Sequence, residues 1–312
     1  RFLTLYFFGP LFKLFCRNKG VRIPILMYHS ISDEKESGHP YYWLNTSPKR
    51  FYEHMKFLKD NTYKVISLTE TASIISKLDY PYNPSDPSNS TNQSNPINPI
   101  NSNYPNNSIN PINSSNPSNS SNFVVLTFDD GYRDFYTTAW PILSQFSFPV
   151  TVFLPTGFIG GSFKKQECLS WSEVRKLYSQ GISFGSHTVT HRQLHSLSWK
   201  DIKIELENSK KALEDQLGAY VVDFSYPYDY PETDKVFCER LASILEDYGY
   251  THCVTTRLGC SAHGDDVLSL KRLPINDSDD PFLFKAKLKG SYDWLGIMQR
   301  FLKALKRNGC FI

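Results

Sequence analysis

The feature that most constrains this chain is an alternation. Short apolar, β-favouring runs recur, separated by stretches with helical spacing. Ile23–His29, Val65–Leu68, Phe123–Phe128, Val150–Leu154, Ile182–Gly185, Val221–Tyr226, Tyr250–Thr255 and Leu270–Ile275 read as strands. Between them, Ser47-Pro48 supplies an N-cap and an N1 proline for a helix with Phe51, Met55 and Leu58 on one face. Further helices are expected over Thr69–Leu78 and Asp134–Phe146, and a capping box at Ser170/Glu173 opens another that stops at Gly181. Ser198–Leu217 and Asp234–Tyr248 complete the series, ending at Gly218 and Gly249. Apolar strands that alternate with helices imply a parallel sheet covered by helices. Seven or eight such units favour an α/β fold closed into a (β/α) barrel over an open doubly wound sheet. No GxGxxG follows a strand, so nothing points to a dinucleotide.

One segment does not fit the alternation. Residues 79–122 are almost entirely Asn, Ser and Pro, with Asn-Pro-Ile recurring, and such a tract buries too little apolar surface to offset its ordering entropy. It reads as a disordered insertion that splits one domain into 23–78 and 123–280. Its Asn-x-Ser/Thr sequons follow from the composition alone. The two ends differ from the middle in charge. Residues 1–22 hold five Lys/Arg and no acid, and residues 281–312 hold seven Lys/Arg and one Asp, which leaves 22 bases against 30 acids between them. The ends resemble anchoring or surface segments. No basic stripe crosses the middle, so no nucleic acid is expected as a partner. The opening residues 2–12 are apolar but too short to span a bilayer. They read either as the remnant of a membrane anchor or as a packed helix, and residues 281–312 as a basic C-terminal tail. The six cysteines show no CxxC and no regular spacing, although Cys253 and Cys260 are near enough in sequence to pair.

The residues with chemical potential gather at strand C-terminal ends, where barrel chemistry sits. Asp129 and Asp130 follow the run Phe123–Phe128. Adjacent buried carboxylates repel each other unless a cation neutralises one. Asp-Asp-Gly is also ordinary turn chemistry, and the tetrapeptide alone leaves both readings open. His187 and His191 are four apart, which puts both rings on one side if the stretch is helical and is a common zinc-ligand spacing. His195 extends the spacing but would point away, and His263 lies in a loop. Tyr226–Tyr228 and Arg272 also fall near strand ends. Trp171, Phe153 and Tyr132 are aromatic candidates to stack on a ligand, with Tyr132 the best placed as a cleft wall.

Thr127–Tyr132 taken with His187–His191 resembles the first two motifs of the polysaccharide deacetylases, the NodB-homology family also known as carbohydrate esterase family 4. Pro24–Ile31, Pro149–Thr156, Phe224–Tyr228 and Arg272–Ile275 extend the resemblance toward the subgroup that de-N-acetylates poly-N-acetylglucosamine. It implies a deformed (β/α) barrel hydrolysing N-acetyl groups on a polysaccharide or oligosaccharide at a metal, with Zn2+ expected and Co2+ or Ni2+ as substitutes. In such enzymes the residue matching Asp129 is the base, and those matching Asp130, His187 and His191 hold the metal. The backbone N–H of Tyr228 would face the developing oxyanion. A cell-envelope location follows from the same resemblance, with membrane association through the N-terminal segment. Two departures stand out. Ser225 occupies the place of the arginine that usually braces the base, and Asp229 replaces a glycine. Arg272 is the candidate to supply the missing guanidinium, and His29 the candidate acid, because the usual Leu-x-His motif is absent. Two rival readings remain: an amidase for a small N-acyl or cyclic amide, and a catalytically impaired carbohydrate-binding homologue.

Overall fold

In the computed structural model, which describes residues 21–34, 37–39, 43–76 and 122–307, seven parallel strands close into a ring. They are β1 (Ile25–Tyr28), β2 (Phe123–Phe128), β3 (Thr151–Leu154), β4 (Ser183–Ser186), β5 (Asp223–Ser225), β6 (His252–Leu258) and β7 (Leu270–Pro274). Strand follows strand around the ring in chain order, and β7 closes it on β1. The expected (β/α) barrel is therefore the fold. Its deformation is local. The short strand Lys64–Val65 pairs with Phe123–Val124, while β3 pairs only with Thr127–Phe128, so the barrel splits between β2 and β3 at its N-terminal end.

Because successive strand residues face opposite ways, the ring sorts its side chains by parity. Ile25, Phe123, Val125, Phe153, Val254 and Leu270 form the small apolar interior, plugged at one end by Leu68 and Ile75 of the helix Leu68–Ser76. The other parity, including Leu26, Val124, Leu126, Val152 and Phe224, packs against the surrounding helices through Phe51, Met55, Leu177, Ile202, Leu206 and Leu241. Phe153 thus belongs to the core and is no cleft wall. Its ring fills the space beside Gly185, where a Cβ would come within 2.5 Å of it. One step further along the inward parity the side chains turn polar: Thr127, Asp129, Ser225 and Arg272, all buried. The strand period itself delivers these groups to the C-terminal mouth.

Helices α1 (Pro48–Asp60), α2 (Leu68–Ser76), α4 (Trp171–Ser179), α5 (Trp199–Leu217) and α6 (Lys235–Asp247) fall where the spacing places them, and Ser47, Ser170, Ser198 and Asp234 cap four of them. Between β2 and β3 the helix is shorter than Asp134–Phe146. It opens as a π-helical turn, Phe135–Ala139, and only α3 (Trp140–Leu143) is α-helical, since Pro141 has no N–H to give to the preceding turn.

Residues 281–312 require correction, because most of them are not a tail. They build α7 (Pro281–Leu288) and α8 (Asp293–Arg307). Leu283, Phe284 and Leu288 are buried, and the Phe284 ring stacks on His54 of α1 at 4.0 Å. Lys287, itself buried, pairs with Asp279 at 2.7 Å. The charge count concealed an apolar inner face. Along α8, Ile297, Met298, Phe301 and Leu302 remain exposed. Among the described residues no helix is long and apolar enough to cross a membrane, and Cys168, Cys238, Cys253 and Cys260 are free thiols, so Cys253 and Cys260 do not pair. Residues 1–20 and the tract 79–121 lie outside the described residues.

Candidate active site

β2 ends at Phe128, and the next two residues part company. Asp129 keeps the strand's hydrogen bond, its N–H donating to Tyr28 O at 3.0 Å, and therefore the inward parity. Asp130 takes φ +68° and Gly131 φ +60°, swinging the second carboxylate to the mouth. A Cβ on Gly131 would lie 2.6 Å from the Leu154 side chain, so glycine is required for the turn to seat on β3.

Asp129 is held from two other strands. Arg272 of β7 donates to both of its oxygens, Nη1 to Oδ1 and Nη2 to Oδ2, each at 2.7 Å. The Ser225 hydroxyl of β5 donates to Oδ2 at 3.2 Å and accepts from Arg272 at 3.0 Å. The guanidinium also donates to Thr255 O at 3.0 Å. Arg272, only 1% exposed, is the brace that the motif lacks at residue 225. Burial alone would raise the Asp129 carboxyl, but the guanidinium, with His187 and His29, overcomes it and holds the group at about 2.

Asp130, His187 and His191 form a second cluster, joined to the first through His187, whose Nε2 lies 3.9 Å from Asp129 Oδ2. Their candidate ligand atoms all lie within 4.8 Å of one another, and all three residues are buried. His187 follows β4, and its Nδ1–H donates to Ser225 O at 2.7 Å. That bond fixes the tautomer and leaves the Nε2 lone pair facing His191 Nε2 at 3.1 Å and Asp130 Oδ1 at 3.6 Å. Burial lowers the His187 imidazole to about 4, so it is neutral near pH 7. Asp130 Oδ1, 3.2 Å from His191 Nε2, has no hydrogen-bond partner, although it is fully buried. Two imidazole nitrogens and an orphaned carboxylate oxygen converging on one point are the donor set of a divalent cation. The residues fit a metal.

The helical condition attached to the i, i+4 spacing of these histidines is not met. Residues 187–192 are a turn in which Thr188 and His191 both take positive φ, +68° and +51°. It is Glu205 of α5 that holds this turn, accepting from the backbone N–H groups of Val189 at 2.8 Å and Thr190 at 2.9 Å. Glu205 escaped the sequence reading. The available signal was a carboxylate within the buried stripe of Ile202, Leu206 and Leu213.

The remaining candidates fall around the two clusters. His29 follows β1 on the inward parity. Burial lowers its imidazole, while Asp130 and Asp129 pull the other way, so it sits within electrostatic reach of both carboxylates. Tyr228 lies on the rim at φ +58°, 46% exposed, with its ring edge-on to His191 at 4.6 Å. Its backbone N–H donates to no group among the described residues. Asp229, the glycine replacement, pairs with Lys303 of α8 at 2.6 Å. Tyr132 is buried, and its hydroxyl donates to Asp130 Oδ2 at 3.1 Å, which corrects its placement as a cleft wall. Trp171 is partly buried against the core, and His195 and His263 stand on the exposed surface, each with partners of its own.

A parallel barrel with a braced carboxylate beside a His-His-Asp cluster at its strand C-terminal ends is a hydrolase site of the (β/α)-barrel class. Residues 116–252 match the family model for polysaccharide deacetylases. Among curated proteins the chain is 27% identical over 258 residues to YxkH of Bacillus subtilis, covering 83% of this chain and 73% of that protein. It is 28% identical over 141 residues to the poly-β-1,6-N-acetyl-D-glucosamine N-deacetylase of Staphylococcus aureus, covering 41% of this chain and 47% of that enzyme. Among solved structures, the Streptococcus pyogenes deacetylase PplD, determined with acetate, aligns at a TM-score of 0.62 and 25% identity. That alignment covers 86% of this chain and 99% of PplD. Residues 116–252 thus carry a polysaccharide deacetylase domain, the kind of domain that hydrolyses carbon–nitrogen bonds other than peptide bonds.

Proposed function

We propose that the chain is a metal-dependent de-N-acetylase acting on an N-acetylglucosamine-type polysaccharide or oligosaccharide and releasing acetate. The observation that carries this reading is the division of labour between neighbours: Asp129 clamped by Arg272, and Asp130 gathered with His187 and His191. Asp130, His187 and His191 would hold a divalent cation, Zn2+ or in its place Co2+ or Ni2+, which would supply Lewis-acid polarisation of the amide carbonyl and acidify a water. Asp129 is the base placed to take a proton from the attacking water. Held at about 2, it is a weak base, so it suits only a water that has already been made acidic. Arg272 does not touch substrate; it keeps the carboxylate ionised and aimed. The unpaired N–H of Tyr228 donates to the acyl oxygen as charge develops there. The proton that Asp129 takes returns to the leaving amine by way of His29 as the C–N bond breaks, so both side chains end as they began.

Two observations support the polymer over a small amide: the rim residues Tyr228 and Lys164 stand open to solvent, and the curated relatives matched above are named for polysaccharide deacetylation. The guanidinium on Asp129 removes the main argument for an impaired homologue. The proposed location is the cell envelope, with attachment at a membrane surface through residues 1–22. Arg22, where that segment joins the barrel, pairs with Asp293 at the start of α8, whose exposed Ile297, Met298, Phe301 and Leu302 run along the same helix. The test is acetate release from β-1,6-linked N-acetylglucosamine oligomers, chitin oligomers and peptidoglycan, before and after chelation. Release that stops with the chelator and returns with Zn2+ supports the proposal. Protein that binds the metal and releases acetate from none of the three contradicts it.

A further inference from the structure

A hairpin on the rim holds two residues in a conformation their types disfavour. Ser162–Phe163 pairs antiparallel with Gln166–Glu167, and the two-residue turn between them is Lys164-Lys165, at φ +47° and +71°. A turn with both residues left-handed ordinarily takes Asn-Gly, because a long side chain there is strained. Of the eight non-glycine residues at positive φ among the described residues, four are Asp130, Thr188, His191 and Tyr228, all at the site. Strain of this kind gathers where function over-determines the backbone. The hairpin is firmly based. Arg133 pairs with Glu167 at 3.0 Å, and the Phe163 ring lies 4.8 Å from that of His191.

The result of the turn is the placement of one ammonium. Lys164 Nζ lies 3.6 Å from Asp130 Oδ2, over the Phe163 ring at 4.7 Å and near the Tyr228 ring at 5.7 Å. Its side chain is 42% exposed, so the ammonium faces the mouth rather than filling a core. It stands beside Tyr228, whose N–H is also unspent. A half-exposed cation over an aromatic rim, near a residue whose backbone donor is unspent, suits a small anion.

Resting on the reading above, we infer that Lys164 is a substrate-contacting residue. It holds the acyl oxygen as that atom gains charge, and then the carboxylate of the released acid. The balance is simple. The oxygen of water adds to the amide carbon, the C–N bond breaks with its electron pair going to nitrogen, and nitrogen takes a proton. The acid leaves as a carboxylate, and Lys164 keeps its proton throughout. The rival account is that Lys164 only neutralises Asp130.

Three variants decide between them: Lys164→Gly, Lys164→Met and, as a control in the same turn, Lys165→Gly. The inference predicts that both Lys164 variants lose about 100-fold in kcat with KM within about threefold. Inhibition by acetate should weaken about 10-fold or more. Affinity for Zn2+ should hold or tighten, since a competing cation has gone. Thermal stability of Lys164→Gly should hold or rise by about 1–3 °C as the strain is relieved. Lys165→Gly should keep full activity and acetate inhibition. Lys164→Gly with unchanged kcat and unchanged acetate inhibition overturns the inference, and so does a loss of turnover that tracks lost metal or lost stability. Calorimetric titration of acetate into metal-loaded wild type and Lys164→Met needs no turnover. It therefore decides the acetate subsite even if no polymer proves to be a substrate: equal affinities overturn it.

Discussion

Asp129 and Asp130 share a peptide bond and the neighbour His187, but they are held in different ways. Asp129 belongs to the strands: inward parity on β2 aims it, Arg272 on β7 grips both oxygens, and Ser225 on β5 closes the bracket. Asp130 belongs to the turns. It and its partner His191 both sit at positive φ, beside Thr188 and Tyr228 in the same region. Regular structure fixes a group firmly but offers only the positions its period allows. Converging three ligand atoms on one point needs backbone that the period forbids, and something else must hold it there. Glu205 does so for the histidine turn, as the Tyr132 hydroxyl does for Asp130. The half proposed to handle the proton is rigid by architecture, and the half proposed to hold the metal is rigid by latches.

That contrast predicts different failures on the two sides. Arg272→Met should be the most damaging change, because it strands a buried carboxylate. We expect a loss of about 3–5 kcal/mol in unfolding free energy and turnover down at least about 100-fold, with metal content retained in whatever folds. Loss of metal in that variant would erase the distinction. His29→Gln should lower kcat about 100-fold without changing metal content or stability, and an unchanged kcat would remove it as the acid. Glu205→Gln should act through the other half, weakening metal affinity about 10–100-fold as the turn loosens, while kcat at saturating metal recovers. A kcat that stays low at saturating metal would mean that the latch serves the proton side as well.

The smallest effect lies away from both. His54 accepts from the Tyr28 hydroxyl through Nδ1 at 3.1 Å and donates to Asp279 O through Nε2 at 2.7 Å. Burial lowers its imidazole to about 4. The unfolded chain, with a histidine pKa near 6.5, then binds more protons than the folded one between the two values, so stability falls as pH drops through that window. Between pH 7 and pH 5 the loss from His54 is about 1–2 kcal/mol, and His54→Gln should flatten it in denaturant titrations at the two pH values. Asp129 has the same sign lower down: its contribution is full above about 3.9 and gone below about 2.

The strand side was the side legible in sequence. Apolar runs such as Phe123–Phe128 declare themselves by type, and their C-terminal ends carry Asp129, His187, Ser225 and Arg272 to one mouth by arithmetic. Even the substitute brace could be named, because a strand end fixes where an arginine can reach. The turns were not legible. No spacing rule reveals that Thr188 and His191 go left-handed, so the i, i+4 spacing could say only where the rings lie if the stretch is helical. Lys164 and Glu205 act through folded neighbours about 30 and 15 positions away, and nothing in a single sequence links them. Phe153 and Tyr132 were misjudged for a related reason, since an aromatic near a strand end looks the same whether it faces the core or a cleft. In α7 and α8, counting charges hid the buried face of Leu283, Phe284 and Leu288.

The central claim is that neighbouring carboxylates do separate work, and the matched pair Asp129→Asn and Asp130→Asn tests it most directly. Metal content and acetate release are measured on both. The account predicts that Asp129→Asn keeps its metal and releases no acetate, while Asp130→Asn loses the metal. Metal lost from Asp129→Asn and retained by Asp130→Asn would contradict it.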